Sequence, residues 1–199
     1  MNKPSAPSAE RNKEPIVSVM RRELQAKDVV LEIGSGTGQH ACYVGSAMPD
    51  IVWQPTELRE NISAIESWLD EYKLSNVQVP VVLDVNHHPW PVPQASADVC
   101  FTCNTFHIVS ETSVVSVFKG CESVLGKSGK LMVYGPFTID GEHVSPSNEE
   151  FDQWLHDSDP NSGVRDLTEL DNIAHTFGFA PSRRIEMPAN NFMVVWEIA

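Results

Sequence analysis

The sequence has few basic residues and no long uncharged hydrophobic run. Its 199 residues include 14 Lys and Arg against 27 Asp and Glu, which gives a formal net charge of −13 at pH 7. A surface of this sign repels nucleic-acid phosphates and anionic lipid. A membrane-spanning helix would need about 20 consecutive apolar residues, and no such run is present. We therefore expect neither nucleic acid nor a membrane as a partner.

The N-terminal segment lacks the apolar stretch of a secretory signal peptide, so we expect a cytoplasmic location. Cysteine is also scarce, although Cys100 and Cys103 have the C-x-x-C spacing of redox and zinc sites. This pair lies in the apolar run DVCFTCN at 98–104, which is typical of a buried strand, and no second C-x-x-C completes a zinc site. We expect free thiols and no bound metal.

Short apolar runs alternate with segments of helical periodicity along most of the chain. Strands are predicted at 29–33, 51–53, 77–83, 99–103 and 130–134, with a terminal hairpin at 185–187 and 192–198. Helices are predicted at 39–47, 61–72, 110–125, 147–154 and 166–177. This alternation predicts an α/β fold, in which a parallel sheet has helices on both faces and the hairpin adds an antiparallel edge.

The domain organisation follows from where polar residues collect. Residues 1–14, rich in polar residues, Pro and Ser, predict a mobile N-terminal arm before a helix that begins at Glu14 and Pro15. Residues 15–199 then form a single domain. Within it, the polar connection 136–165 predicts a lid-like insertion, because long connections in compact domains are usually functional or disordered. A capping box at 147–150 predicts a short helix inside this insertion.

The first predicted strand ends in the glycine-rich turn GSGTG at 34–38. Backbone N–H groups of such a turn, together with the N-terminus of the following helix, face a bound nucleotide. The dinucleotide fingerprint G-x-G-x-x-G would require glycine at position 39, where Gln39 stands, and no P-loop motif occurs. The turn therefore indicates a nucleoside site that differs from the usual sites for NAD and for nucleoside triphosphates.

Polar side chains follow the next three predicted strands. Glu57 follows the second, Asp84 and Val85 follow the third, and Asn104 follows the fourth. Open α/β sheets bind ligands at this carboxyl edge, and an acidic residue after the second strand can accept both ribose hydroxyls. Asp84 could accept an exocyclic amino group beside the apolar Val85. Together with the glycine-rich turn, these residues predict a nucleoside site.

These segments resemble the motifs of the class I S-adenosylmethionine-dependent methyltransferases. VLEIGSGTGQH at 30–40 resembles their first motif, and the segments at 57, 83–85 and 98–107 resemble the next motifs in order. The resemblance implies a Rossmann-like, seven-stranded and mostly parallel sheet with an antiparallel C-terminal strand. It also implies S-adenosylmethionine (SAM) as cofactor and S-adenosylhomocysteine (SAH) as product. The first motif would contribute the cofactor contacts Glu32, Gly34, Ser35, Gly36 and Gly38.

Other segments, including ERNKEP, SNEEFDQWL and MPANNFMVVW, resemble a small methyltransferase-like family of unassigned substrate. Because ERNKEP recurs in that family, the resemblance makes Arg11 a candidate partner of the cofactor's methionine carboxylate. The competing interpretation places Arg11 in a disordered tail.

An acceptor pocket is predicted between the sheet edge and the lid. Its sheet side would contain Asn104, His107 and Tyr134, and its lid side would contain Asn148, Phe151 and Arg165. His107 could deprotonate an acceptor, since an unperturbed histidine has a pKa near 6.5. The alternative for His107 is a capping or core role, for Tyr134 core packing, and for Arg165 a surface salt bridge.

Three functions are compatible with the sequence. The first is a SAM-dependent methyltransferase that acts on a small molecule. The second is a SAM-binding regulatory or interaction module without turnover, and the third is a protein methyltransferase. An NAD-linked oxidoreductase is disfavoured by Gln39. The sequence leaves the methyl acceptor unidentified and does not distinguish a monomer from a homodimer.

Overall fold

The structure, a computed structural model, describes residues 3–199. Its strands are β1 (Val29–Ile33), β2 (Val52–Glu57), β3 (Val81–Val82), β4 (Ala97–Cys103), β5 (Leu125–Gly135), β6 (Phe137–Ile139), β7 (Glu142–His143), β8 (Arg165–Asp166), β9 (Arg183–Met187) and β10 (Asn191–Glu197). Its helices are α1 (Pro7–Glu23), α2 (Gln39–Ala47), α3 (Ile62–Tyr72), α4 (Glu111–Val124), α5 (Pro146–Ser158) and α6 (Leu167–Thr176).

Seven strands form one sheet in the order β3-β2-β1-β4-β5-β10-β9. The strands from β3 to β5 pair in parallel, whereas β10 is antiparallel to both β5 and β9. The predicted mostly parallel sheet with an antiparallel C-terminal strand is therefore confirmed. The strand order reverses at β1, so β2 and β4 flank the strand that leads into the glycine-rich turn. Ligands bind at such reversal points in open α/β sheets.

Helices cover both faces of the sheet, as predicted, because every central strand is apolar on both sides. On one face, α1 and α2 bury residues such as Ile16 and Val44 against Trp53 and Phe101. On the other face, α4 and α6 pack around Phe118. Burial on both faces explains why these strands appear in the sequence as continuous apolar runs. Within residues 3–199, no helix combines the length and hydrophobicity that crossing a membrane requires.

The first helix begins earlier than predicted. It starts at Pro7 and includes Pro15 in its interior, so residues 7–14 of the predicted arm are helical. Proline normally ends or kinks a helix, but here the first turns bury Ala9 and Asn12 against the body of the domain. Packing of this face therefore outweighs the local preference for a break. The prediction that the helix begins at Glu14 and Pro15 is wrong.

Several other boundaries differ from the sequence predictions. Strand β2 continues to Glu57, beyond the predicted end at 53, and β5 begins at Leu125, before the predicted start at 130. The third strand is limited to Val81–Val82, because Pro80 lacks the N–H that would extend the pairing. In the predicted lid, α5 begins at Pro146 rather than within the 147–150 capping box, and Ser145 is its N-cap. The Ser145 hydroxyl accepts from the Asn148 N–H at 3.2 Å. The rest of the 136–165 segment contributes β6, β7 and β8, which form a small second sheet.

Candidate active site

The glycine-rich turn has a backbone that only glycine adopts without strain at several positions. Gly34, Gly36 and Gly38 have φ angles of +70°, +56° and +88°. A Cβ at Gly38 would lie 2.9 Å from the Cα of Ile65, so this glycine allows α3 to approach the turn. A Cβ at Gly36 would meet no atom within 4 Å. The space in front of Gly36 is therefore open to a ligand.

Glu57 holds the open part of this turn. One carboxylate oxygen accepts from the Gly36 N–H at 2.8 Å, and the other accepts from the Leu58 N–H at 2.7 Å. The side chain is 9% exposed, so the carboxylate is fixed beside the turn rather than extended into solvent. Each carboxylate oxygen can accept more than one hydrogen bond. Glu57 can therefore support the turn and still accept from the hydroxyls of a ligand.

Glu32 is buried beneath the same edge, at 1% exposure. Its carboxylate accepts from the Trp53 indole N–H at 2.9 Å and so ties β1 to β2. Burial raises the pKa of Glu32 from 4.5 to about 7. Ser35 makes a second link to β2, since its hydroxyl accepts from the Thr56 N–H at 3.2 Å. Both residues therefore brace the turn from inside the sheet.

Asp84 and Val85 follow β3, at the carboxyl edge where the sequence predicts them. The Asp84 carboxylate accepts from the Asn86 N–H at 2.9 Å and pairs with the His87 ring at 2.8 Å. The hydrogen bond from the Asn86 backbone is the main reason why the pKa of Asp84 is lowered. Val85 is partly buried against the core. An ionised carboxylate beside an apolar side chain thus lies at this end of the sheet.

Asn104 directly follows β4 and has the left-handed conformation, with φ of +57°. Its N–H donates to the Tyr134 carbonyl at 2.8 Å, which joins the ends of β4 and β5. Asn104, His107 and Tyr134 line a cavity of about 770 Å³. From the predicted lid, Asn148 and Phe151 line the same cavity. The structure therefore brings five of the six residues predicted for the acceptor pocket around one space.

Arg165 is the residue that the structure does not bring there. Its guanidinium donates to the carbonyls of Phe106 at 3.1 Å and Val109 at 2.6 Å, and it lies 3.6 Å from the Glu111 carboxylate. These bonds hold it to the segment before α4, where it lines a separate cavity of about 230 Å³. The N–H groups of the Arg165 guanidinium therefore donate to backbone carbonyls rather than to a ligand. The prediction that Arg165 lines the acceptor pocket is wrong.

Apart from Arg11, the remaining residues of the cavity lining are ones that the sequence did not indicate. Helix α1 contributes Ser8, Arg11, Asn12 and Pro15, the loop between β9 and β10 contributes Pro188 and Ala189, and β10 contributes its first residue, Asn191. The four α1 positions have the spacing of a single helical face, which a helix prediction starting at Pro7 would have revealed. Arg11, predicted as a cofactor contact, lies here beside the acceptor-pocket residues.

Asn12 anchors α1 to the wall of the cavity. Its amide oxygen lies 2.7 Å from the His40 ring nitrogen, and its amide nitrogen donates to the Cys103 thiol at 3.4 Å. Burial lowers the pKa of His40 to about 4 and raises that of Cys103 above its ordinary value. Both groups are therefore neutral at pH 7, and Cys103, like Cys100, is a free thiol. A neutral buried network fixes the position of α1 over the site.

The two titratable candidates in the cavity are neutral as well. Burial, with a smaller contribution from the Arg165 charge, lowers the pKa of His107 to about 4. Burial raises the pKa of Tyr134 to about 12. At pH 7 His107 is therefore an unprotonated imidazole, and Tyr134 is a phenol that can donate a hydrogen bond. The Phe151 ring packs edge-on against the His107 ring, with 5.2 Å between their centroids.

Solved structures share this architecture. Mitomycin 7-O-methyltransferase MmcR superposes with a TM-score of 0.81 at 16% identity, covering 96% of this chain and 54% of that chain. Human N-acetylserotonin methyltransferase in complex with SAM gives 0.77 at 14% identity, covering 96% and 52%. An O-methyltransferase family protein from Burkholderia thailandensis gives 0.79 at 14% identity, covering 96% and 57%.

This chain spans little more than half the length of these three proteins. At such identities the similarity establishes the class I methyltransferase fold, and it leaves activity to be argued from the site. Sequence similarity identifies the family directly, because residues 3–198 match one family over almost the whole chain. The chain belongs to the family described as "Protein of unknown function (DUF938)", on a class I methyltransferase fold.

Proposed function

We propose that this protein is a SAM-dependent methyltransferase that acts on a small molecule. The observation that carries the proposal is the open backbone in front of Gly36, held by Glu57 at the same sheet edge as the cavity of about 770 Å³. A nucleoside-binding turn beside a separate cavity suits a reaction with two ligands. Small-molecule sites are typically about 300–1,000 Å³, which favours a small acceptor over a protein side chain.

The residues at this edge fit the cofactor. The turn leaves open space in front of Gly36, Glu57 has lone pairs for the ribose hydroxyls, and Asp84 with Val85 suits an adenine ring with its amino group. The proposed contacts are Gly34, Ser35, Gly36, Gly38, Glu57, Asp84, Val85 and Asn104. Glu32, almost fully buried, would act by bracing the turn through Trp53.

When bound, SAM would supply an electrophilic methyl group on a sulfonium, so the protein has mainly to position the acceptor and exclude water. Neutral His107 can accept a hydrogen bond from the acceptor, and the Tyr134 phenol can donate one. With a pKa of about 4, His107 is too weak a base to remove a proton in advance. Its proposed role is to orient the acceptor, while Phe151 keeps water from one side of the cavity.

Calorimetric titration with SAH and with NAD⁺ tests the cofactor. We expect SAH to bind and NAD⁺ not to bind. Glu57→Gln should weaken SAH binding by about 10- to 100-fold, since hydrogen bonds to a charged acceptor contribute about 1.5–3 kcal/mol. Glu60→Gln, an exposed carboxylate on the next turn, is the matched control and should leave SAH affinity unchanged. Equal binding of both nucleotides, or no SAH binding, would reject the proposal.

A further inference from the structure

The cavity has an unusual charge for this molecule. Among the residues described, its lining includes neutral amides, hydroxyls and apolar side chains, one histidine and one tyrosine, and a single charged side chain, Arg11. No aspartate or glutamate in that described lining offsets the Arg11 charge, although the whole chain carries a formal net charge of −13. The cavity therefore offers an anion a cation to pair with, on a protein that otherwise repels anions.

Arg11 is not engaged by an acid elsewhere in the structure. Within residues 3–199, Arg165 and Arg183 each form an ion pair, with Glu111 and Glu23 respectively, and Arg11 forms none. Arg11 lies at the exposed rim of the cavity, one residue before Asn12, which the His40 and Cys103 contacts hold in place. Helix α1 is thus held beside the cavity and carries at the rim a guanidinium that forms no ion pair within residues 3–199.

An aromatic stack lies on another wall of the cavity. The Phe151 ring packs edge-on against His107 at 5.2 Å and stacks on Trp154 at 5.9 Å, measured between centroids. Trp154 is 59% exposed, so the stack runs from solvent to the lining of the cavity. Ile108 and Pro136 add further apolar surface to the lining. Stacked or edge-on packing on such rings favours a planar aromatic ligand.

We propose that the acceptor cavity binds a small aromatic carboxylate, whose anionic group pairs with Arg11 and whose ring packs against Phe151. The guanidinium fork matches a carboxylate with two parallel hydrogen bonds. This inference rests on the proposed function, because it names the substrate class of the same site. It also assigns Arg11 to the acceptor rather than to the methionine carboxylate of the cofactor.

Three ligands with the same ring and different charge provide the test. 4-Hydroxyphenylacetate is an anion, 4-hydroxyphenylacetamide is neutral and tyramine is a cation. Each is titrated into the full chain with saturating SAH and followed by ligand-observed NMR. We expect the anion to bind at least about 10-fold more tightly than the amide, a preference that a charged hydrogen-bonded pair supplies, and tyramine to bind most weakly.

Substitutions test which residue causes the preference for the anion over the amide. Arg11→Gln should abolish the difference between anion and amide and leave SAH affinity unchanged, whereas Arg22→Gln, an exposed arginine on the same helix, should preserve both. Phe151→Leu should weaken the three ligands by similar factors. Loss of SAH binding in Arg11→Gln would show that Arg11 holds the cofactor and would overturn the proposal.

Two further outcomes separate this inference from the proposed function. If the wild-type protein does not bind SAH but, titrated without it, still prefers the anion in an Arg11-dependent way, the cofactor is wrong and the anion site stands. If SAH binds but the three ligands bind equally or not at all, the methyltransferase proposal stands and the aromatic carboxylate is rejected.

Discussion

The glycine-rich turn and the acceptor cavity lie at the same edge of the sheet, yet they are built in opposite ways. The turn is one continuous segment fixed by backbone bonds, including Ser35 N–H to the Thr56 carbonyl and Gly38 N–H to the Ser35 carbonyl, each 2.9 Å. The cavity is assembled from five segments that lie between positions 8 and 191. Side chains, rather than sheet hydrogen bonds, hold several of those segments together.

The two regions also differ in charge. The turn is braced by two buried carboxyl groups, Glu32 and Glu57, whereas the only charged side chain found in the cavity lining within residues 3–199 is Arg11. Carboxylates accept hydrogen bonds from neutral hydroxyls, and a guanidinium donates to anions. The difference indicates that one region is suited to a nucleoside and the other to an anion, so substitutions in one region should leave binding in the other unchanged.

Gly36→Val should cause the largest of the expected effects, a loss of cofactor binding at the glycine-rich turn. Gly36 has φ of +56°, and the branched side chain of a valine there would occupy the open space in front of the turn, where a Cβ would meet no atom within 4 Å. We expect SAH affinity to fall at least about 1,000-fold, or about 4 kcal/mol, while binding of 4-hydroxyphenylacetate persists. Calorimetry and ligand-observed NMR measure the two quantities.

Gly141→Val is the matched control for Gly36→Val. Gly141 is exposed, has φ of +81°, and a Cβ there would also meet no atom within 4 Å. The backbone strain, about 1–2 kcal/mol, is therefore similar in both variants, and only Gly36→Val should lose SAH. If Gly36→Val bound SAH normally, the 34–38 turn would not contact the cofactor.

The same contrast explains what the sequence could predict. The central strands are largely apolar. The 34–38 turn and the polar residues at or just after the ends of β2, β3 and β4 can be predicted from where the strands end. These features depend on local sequence and on the rule that parallel strands present their carboxyl ends at one edge. The same rule predicts that Asn104, His107 and Tyr134 lie together, and in the structure they line one cavity.

Features that depend on tertiary packing could not be predicted in this way. Pro15 locally favours a helix start, and only the packing of Ala9 and Asn12 extends α1 back to Pro7. The position of Arg165 in a polar segment predicts that it lines the acceptor pocket, but backbone carbonyls before α4 hold its guanidinium. The contacts of Arg165 leave no periodic pattern in the sequence, because they join residues that are distant along the chain.

Glu32→Gln tests the difference in buried charge between the two regions through the pH dependence of the free energy of unfolding. In the folded state the pKa of Glu32 is raised from 4.5 to about 7, so its ionisation costs stability as pH rises through that interval. Wild type and variant should be similar at pH 4.5, and the variant should be more stable by about 3 kcal/mol at pH 8, given about 1.4 kcal/mol per pKa unit. Glutamine keeps an acceptor for the Trp53 indole.

Urea unfolding at pH 4.5 and pH 8 measures this difference, with Glu60→Gln as the exposed control. Parallel pH profiles for wild type and Glu32→Gln would show that the buried carboxyl group does not pay a desolvation cost. Parallel profiles would also contradict the difference in buried charge between the glycine-rich turn and the acceptor cavity.

Asn148→Ala tests the side-chain contacts that hold the cavity together, and its expected effect is the smallest. The Asn148 amide donates to the Asn190 carbonyl at 3.0 Å and so ties α5 to the loop between β9 and β10. Because Asn190 is exposed, water can replace the lost donor, and we expect a stability loss of about 1 kcal/mol. Local opening of α5 should increase about fivefold, while α2 should be unchanged because sheet and turn bonds hold it.

Hydrogen exchange followed by mass spectrometry resolves the two helices, and Gln153→Ala removes a bond on the exposed side of α5 as the control. Equal acceleration in α2 and α5 would mean that the two regions open as one unit, and the contrast in how they are held would not extend to their dynamics.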